Sequence, residues 1–351
     1  MYARHETYVE EVEMRALVTG GAGFIGGHLS EALLAEGHGV IGVDDLSTGD
    51  VENVDRLLSS PGYEFVKGSV LDRELMDGLM SQVDTVFHLA AVVGVQLVID
   101  QALEGLRTNV HGTELVLDCA ADHGTRVLIA STSEVYGKNP AVPLAEDHDR
   151  VVGSPLIRRW SYAEAKALDE TLAYLYWSDR AVPTVIARLF NVAGPRQTGR
   201  YGMVIPRFVD QALRHEPLTV FGDGRQTRSF CHVRDAVEGL IALVDEPTAY
   251  GQAVNIGRAE EVSIRQLADR VIALSGSRSE IRYVPYDQAY GDGFEDTMRR
   301  VPDISRARDL IGFDPRRGLD DVIRSVIDDR LGSATADQLG SPGRTEAEGV
   351  R

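Results

Sequence analysis

Short apolar runs of strand length alternate with longer segments of helical period from Arg15 to about Thr184. Ala16-Leu17-Val18 opens the series, and Gly27-His28-Leu29-Ser30-Glu31-Ala32-Leu33-Leu34 follows with apolar positions three and four apart. Further strand-like runs are Gly39-Val40-Ile41-Gly42-Val43, Val83 to Ala91, Arg126 to Ala130 and Thr184 to Phe190. The alternation predicts an α/β fold, a doubly wound parallel sheet with helices on both faces. Ligands of such sheets collect at the carboxyl ends of the strands. Ser131-Thr132-Ser133-Glu134 and Asn191 stand at two of those ends, and the run through His88 closes on the small residues Ala90 and Ala91.

The turn after the first run is Thr19-Gly20-Gly21-Ala22-Gly23-Phe24-Ile25-Gly26. Gly20, Gly23 and Gly26 are spaced three and three, as a sharp strand-to-helix turn requires. The first permits the turn, the second lets a pyrophosphate approach the backbone, and the third packs helix on strand. The N–H groups that open the helix then face the phosphates. The second run ends in Asp44-Asp45, eighteen residues past Gly26. An acid there accepts hydrogen bonds from ribose hydroxyls and repels a 2′-phosphate, so the expected cofactor is NAD rather than NADP, with Asp44 as the contact.

These features divide the chain into a polar N-terminal extension (1–13) and an NAD-binding Rossmann domain (14–190) with a return segment near 231–244. After Asn191 the alternation loosens, Pro, Gly and Arg become common, and a smaller α/β substrate domain is expected over 191–330. Residues 331–351 lack an apolar period and read as a flexible tail. With 36 basic and 54 acidic residues the formal net charge is −18, which argues against a general nucleic-acid or anionic-membrane surface. An anionic small ligand needs only a few placed arginines. No run has the length of a membrane span and no signal-peptide pattern is present, so a cytoplasmic protein is expected. Cys119 and Cys231 lie in apolar contexts without metal-site spacing, and no metal is assigned.

Tyr162 and Lys166 lie four apart in Ser161-Tyr162-Ala163-Glu164-Ala165-Lys166, on one face of a helix. An ammonium beside a phenol favours the phenolate, and with a cationic nicotinamide it would bring Tyr162 toward neutrality as a general base. Thr132 or Ser133 would then bond the hydroxyl being deprotonated, while Lys166 also holds the ribose.

TGGAGFIGGHL, HLAA at 88–91, STSEVYG at 131–137, YAEAK at 162–166, RLFNVAGPR at 188–196 and TRSFCHVRDAVEGL at 227–240 together resemble the extended short-chain dehydrogenase/reductase family. The likeness is to its nucleotide-sugar epimerase, dehydratase and decarboxylase branch. It implies NAD that is reduced and reoxidised within a turnover, a nucleoside-diphosphate hexose in the C-terminal domain, and a homodimer. It places Gly20, Gly23, Phe24, Ile25, Gly26, Asp72, Leu89, Ala90, Ala91 and Asn109 around the cofactor, Asp72 at the adenine amino group and Asn109 steadying the helix beside the site. It places Asn191, Arg228 and Arg207 at the sugar diphosphate.

Two features bear on the reaction. Glu134 stands where plain 4-epimerases carry a small residue, and where UDP-glucuronate decarboxylases and 4,6-dehydratases carry an acid reaching toward C5 and C6. The segment from Tyr290 to Ile304 is similar to the substrate loop of the decarboxylases, and it implies that Arg300 contacts the phosphates or a carboxylate; Phe294 departs from a tyrosine there. The resemblance therefore implies decarboxylation of UDP-glucuronate to UDP-xylose, with Glu134 orienting a water or destabilising the departing carboxylate. A UDP-glucose or UDP-glucuronate 4-epimerase is the alternative. A 4,6-dehydratase fits less well because Ser133 precedes Glu134 where the thymidine-sugar type has Asp, and a non-catalytic NAD sensor fits least.

Overall fold

The computed structural model describes residues 14–200, 202–290 and 295–339. The first part runs β1 (Arg15–Thr19), α1 (Phe24–Ala35), β2 (Gly39–Asp44), α2 (Val51–Asp55), β3 (Tyr63–Lys67), α3 (Arg73–Met80) and β4 (Thr85–His88). It continues with α4 (Val95–Asp100), α5 (Ala102–His123), β5 (Arg126–Thr132), α6 (Ser161–Arg180) and β6 (Thr184–Leu189). The second part holds β7 (Val192–Ala193), α7 (Val204–Leu213), β8 (Leu218–Phe221), β9 (Thr227–Ser229), β10 (Cys231–His232), α8 (Val233–Val244) and β11 (Ala253–Ile256). Last come β12 (Glu261–Ser263), α9 (Ile264–Ser275), β13 (Ile281–Val284), α10 (Tyr286–Tyr290), β14 (Arg299–Arg300), α11 (Ser305–Ile311) and α12 (Leu319–Leu339).

Seven parallel strands form one sheet in the order β11-β6-β5-β4-β1-β2-β3. The order reverses between β1 and β4, and a crevice at such a switch point is where doubly wound sheets take ligands. The inner strands β1, β2, β4 and β5 are almost wholly buried because helices cover both faces, whereas the edge strand β3 exposes Glu64 and Lys67. On one face α1 and α8 pack through Leu29, Leu33, Val237 and Leu240. On the other, α3, α5 and α6 pack through Met76, Val116, Leu117 and Ala173. A separate core of Phe208, Leu218, Leu267, Val322 and Val326 holds α7, α9 and α12 together in the smaller unit. Both cysteines are buried free thiols.

Chain topology refines the expected boundaries. The segment 231–244 is β10 and α8, and the strand that rejoins the large sheet comes afterwards, as β11 beside β6. The boundary at 330 falls inside α12, which continues to Leu339. A helix seeded by buried Leu319, Val322, Ile323, Val326 and Ile327 adds one hydrogen bond per further residue, and Gly332 alone does not stop it. The expected extension at 1–13, the end of the tail and Phe294 lie outside the described residues. No helix among the described residues is long and apolar enough to cross a membrane.

Candidate active site

One cavity of about 500 Å³ runs over the carboxyl ends of β1, β4, β5 and β6 and under the smaller unit. Its floor begins at Gly20, which has a left-handed φ of 71°. A Cβ at Gly20 would sit 2.9 Å from the Ala90 backbone nitrogen, and one at Gly26 would collide with the Gly20 carbonyl oxygen. Any side chain at either place would fill the turn. Gly23 caps α1 without a side-chain hydrogen bond, and Gly23, Phe24, Ile25 and Gly26 line the cavity, so the first N–H groups of α1 open onto it. Leu89, Ala90 and Ala91 form the adjoining wall. Asp44 lines the far end; its carboxylate also accepts from Ala22 N at 3.1 Å and Leu46 N at 2.8 Å, and burial raises its pKa despite those bonds. A side-chain-free turn, open helix N–H groups and an acid at the next strand tip fit a dinucleotide.

Asp72 and Asn109, both expected near the cofactor, bond within the chain. Asp72 is exposed, accepts from Leu75 N at 3.1 Å as the N-cap of α3, and does not line the cavity, where Gly68, Ser69 and Val70 stand instead. The local cap captures the carboxylate because it satisfies an otherwise orphaned helix N–H. Asn109 accepts from Val92 N at 2.8 Å, fixing the chain after β4; its neighbour Thr108 reaches the cavity.

Tyr162 and Lys166 both line the cavity from α6, with Thr132, Ser133 and Glu134 opposite on the end of β5 and the 3₁₀ turn Ser133–Tyr136. The Thr132 hydroxyl accepts from Glu134 N at 3.2 Å and lines the cavity with Tyr162. The expectation that Lys166 lowers the phenol is not met in the chain itself. Burial pushes the Tyr162 pKa upward, and the charges of Glu134 and Asp169 add to it. Lys166, 2% exposed, gives its ammonium to Asp169 at 3.1 Å, because a buried cation prefers a full counter-charge to a neutral phenol.

Glu134 is clasped by two guanidiniums. Oε2 accepts from Arg159 Nη1 at 2.7 Å, and Oε1 accepts from Arg300 Nη1. Burial alone would raise its pKa, but Arg159 and Arg300 hold it well below the usual carboxylate range. The two residues singled out in the sequence for separate reasons, Glu134 and Arg300, are therefore partners. Arg159, which sequence reasoning missed, sits on the 3₁₀ turn Arg158–Trp160 just before α6 and stacks 4.8 Å from the Trp160 ring. Its signal was present as an arginine flanking a tryptophan one turn before Tyr162.

Arg300 and Arg228 are register partners on β14 and β9. Arg228 lines the cavity, yet its guanidinium donates to Thr227 O, Thr297 O and Asp296 Oδ1 at 2.7–2.8 Å. Its expected bidentate grip on a diphosphate is thus occupied by Asp296, the counter-ion a buried arginine needs. Asp296, also unforeseen, accepts from Tyr286 Oη at 2.9 Å as well. Asn191 lines the cavity with φ 37° and donates to Ser229 O at 2.8 Å. Arg207 lines it too, its guanidinium 4.0 Å over the Phe221 ring.

This chain belongs to the NAD dependent epimerase/dehydratase family, whose sequence profile matches residues 16–257. It is an NAD-dependent enzyme that modifies nucleotide sugars. Among its relatives, UDP-N-acetyl-alpha-D-glucosaminuronate decarboxylase of Bacillus cytotoxicus is 41% identical over 317 residues, 90% of this chain and 97% of that one. UDP-glucuronic acid decarboxylase 1 of Xenopus tropicalis is 36% identical, covering 91% of this chain and 72% of the relative. Among solved structures, UDP-glucuronic acid 4-epimerase from Bacillus cereus, in complex with UDP-glucuronic acid and NAD, superposes with a TM-score of 0.82 at 29% identity, over 91% of this chain and all of that one.

Proposed function

We propose that this enzyme decarboxylates a UDP-linked hexuronic acid through a 4-keto sugar, UDP-glucuronate giving UDP-xylose. The observation that carries the reading is the Glu134 carboxylate held between Arg159 and Arg300 beside Tyr162. Gly20, Gly23, Gly26, Asp44, Ala90 and Lys166 would hold NAD. When bound, NAD supplies a two-electron acceptor that returns what it takes, together with a positive charge opposing the two carboxylates that act on Tyr162.

The chain's own residues do the rest. Tyr162 Oη takes the proton of the sugar's C4 hydroxyl, with Thr132 and Ser133 as hydroxyl partners. A C4 carbonyl is β to the C6 carboxylate, so the C5–C6 bonding pair can pass to the C4 oxygen as CO₂ leaves. Thr132, Ser133 and Tyr162 are then the donors available to the enolate oxygen. Arg300 and Arg159 supply positive charge for the substrate carboxylate. Glu134, ionised between them, keeps that binding from becoming too strong and orients a water that protonates C5. Arg207 and Asn191 serve the diphosphate.

Incubation with UDP-glucuronate, following CO₂ and the UDP-pentose by mass, tests the reading. UDP-N-acetylglucosaminuronate belongs in the same panel because the Bacillus cytotoxicus relative is named for it. Turnover of both to six-carbon products with inverted C4, and no CO₂, would establish the 4-epimerase instead, the reading favoured by the likeness to the Bacillus cereus structure.

A further inference from the structure

The side-chain amide of Asn255, on β11, is wholly buried and uses its carbonyl and both of its N–H bonds. Oδ1 accepts from Tyr136 Oη at 2.8 Å, and Nδ2 donates to Leu144 O at 2.9 Å and to Asp303 O at 3.0 Å. The orientation of the amide is fixed from both sides. A guanidinium only donates, so Tyr136 Oη accepts from Arg188 Nη1 at 2.9 Å and keeps its own proton for Asn255. Backbone carbonyls only accept, so Leu144 and Asp303 must face the amide nitrogen. Arg188 is held in turn by Glu170, through Nε at 2.9 Å and Nη2 at 2.7 Å.

The segments that meet at this amide carry the two ends of the Glu134 clasp. Tyr136 closes the 3₁₀ turn on which Glu134 stands. Asp303 lies three residues after Arg300, and the backbone of Leu144 grips the chain between them. Leu144 N donates to Val301 O at 2.8 Å, and Asp303 N donates to Leu144 O at 2.9 Å. Arg300 depends on that grip. Among the described residues its guanidinium has one hydrogen-bond partner, Glu134 through Nη1, and its Nε is buried without one. Arg228 beside it makes three such bonds. A side chain bonded at a single point near its tip is placed mainly by its backbone.

We propose that Asn255 is a positioning residue for Arg300. By tying the turn 133–136 and the segment 301–303 to one amide, it sets Arg300 against Glu134, and with that the preference for an anionic sugar. The proposal rests on the reading that Arg300 meets the substrate's carboxylate. Neither Asn255 nor Tyr136 lines the cavity, so their variants leave every ligand contact in place. With the segment slack, Arg300 shifts from Glu134, whose charge is then answered by Arg159 alone. An incoming carboxylate loses a cation and meets a less neutralised anion, whereas a neutral sugar on the same nucleotide meets neither penalty.

The test uses NAD-loaded protein in a Tyr162→Phe background, where ligands bind without turning over. Calorimetry gives the affinities for UDP-glucuronate and UDP-glucose, and their ratio isolates the carboxylate. Asn255→Ala should cut the preference for UDP-glucuronate about tenfold, and Tyr136→Phe, which removes one hydroxyl, about threefold. UDP-glucose affinity should stay within about twofold in both, and Arg300→Gln should show the largest loss of preference. A preference that Arg300→Gln abolishes and Asn255→Ala retains would overturn the proposal alone, as would an equal loss of both ligands. No preference in the parent, or none lost in Arg300→Gln, would overturn the carboxylate reading and the proposal with it. If Asn255→Ala does not fold, Tyr136→Phe decides: a native ratio there overturns the proposal, and a selective loss of UDP-glucuronate supports it.

Discussion

Replacing Glu134 with glutamine removes the clasped charge with the smallest change of shape. Three guanidiniums (Arg159, Arg228, Arg300) face two carboxylates (Glu134, Asp296) in this part of the cavity, a local balance of one positive charge. Glu134→Gln raises it to two. A unit charge 4–5 Å from the substrate's carboxylate is worth about 3–4 kcal/mol at an effective dielectric of about 20, and water in an open cavity leaves about 1–2 kcal/mol of it. The anionic substrate should therefore bind about tenfold tighter. Turnover should fall about 100-fold, because the variant binds the departing carboxylate better and no longer orients a proton donor. Burial and then the Glu134 and Asp169 charges raise the Tyr162 pKa, so deleting one of those charges lowers it. The acid limb of kcat/KM should accordingly move to lower pH. Steady-state CO₂ release across pH, with calorimetric binding of the UDP-hexuronate, reads all three effects. A variant with native KM, kcat within threefold and an unmoved limb would refute the reasoning. Stability offers a check on the clasp itself: the folded-state pKa lies below the ordinary 4.5, so Glu134 stabilises the fold fully above that value and loses its contribution as pH falls beneath it.

Tyr162→Phe should lose about 1,000-fold in turnover while the melting temperature stays within a few degrees; retained activity would remove the phenol from proton transfer. Gly26→Ala forces a Cβ into the Gly20 carbonyl, so the purified protein should carry little NAD and be less stable by about 1–3 kcal/mol, measured by nucleotide stoichiometry and denaturant unfolding. Asp44→Asn should narrow the discrimination between NAD and NADP in binding titrations, mainly by losing repulsion of the 2′-phosphate. Leu103 and Leu106 on α5, with Leu168 and Leu175 on α6, leave an apolar face exposed on two helices. If that face joins two copies, Leu175→Glu converts a dimer to a monomer in light scattering, and a native monomer refutes it.

The parts of the site legible in the sequence are those whose geometry is local. Gly20, Gly23 and Gly26 act within one turn, Tyr162 and Lys166 within one helix face, and the polar residues after Arg126 to Ala130 follow from the strand ending there. Local geometry also explains Asp72, in the opposite sense: three residues before Leu75 it had a helix cap to make, and that bond claimed it. The clasp was not legible as a clasp because Glu134 lies 25 residues from Arg159 and 166 from Arg300, and only the fold brings the three together. Lys166 shows how a correct spacing can still mislead. A helix offers the same lysine neighbours at both i−4 and i+3, here a neutral phenol and an aspartate. In water the two compete weakly, but at 2% exposure an ammonium without a counter-charge would cost several kcal/mol, so Asp169 must win. With the lysine's charge answered from within the helix, lowering the Tyr162 pKa falls to whatever positive charge enters the cavity. On the proposed reading, base strength then depends on the cofactor being in place, which would keep the enzyme from deprotonating a sugar when there is nothing to oxidise it.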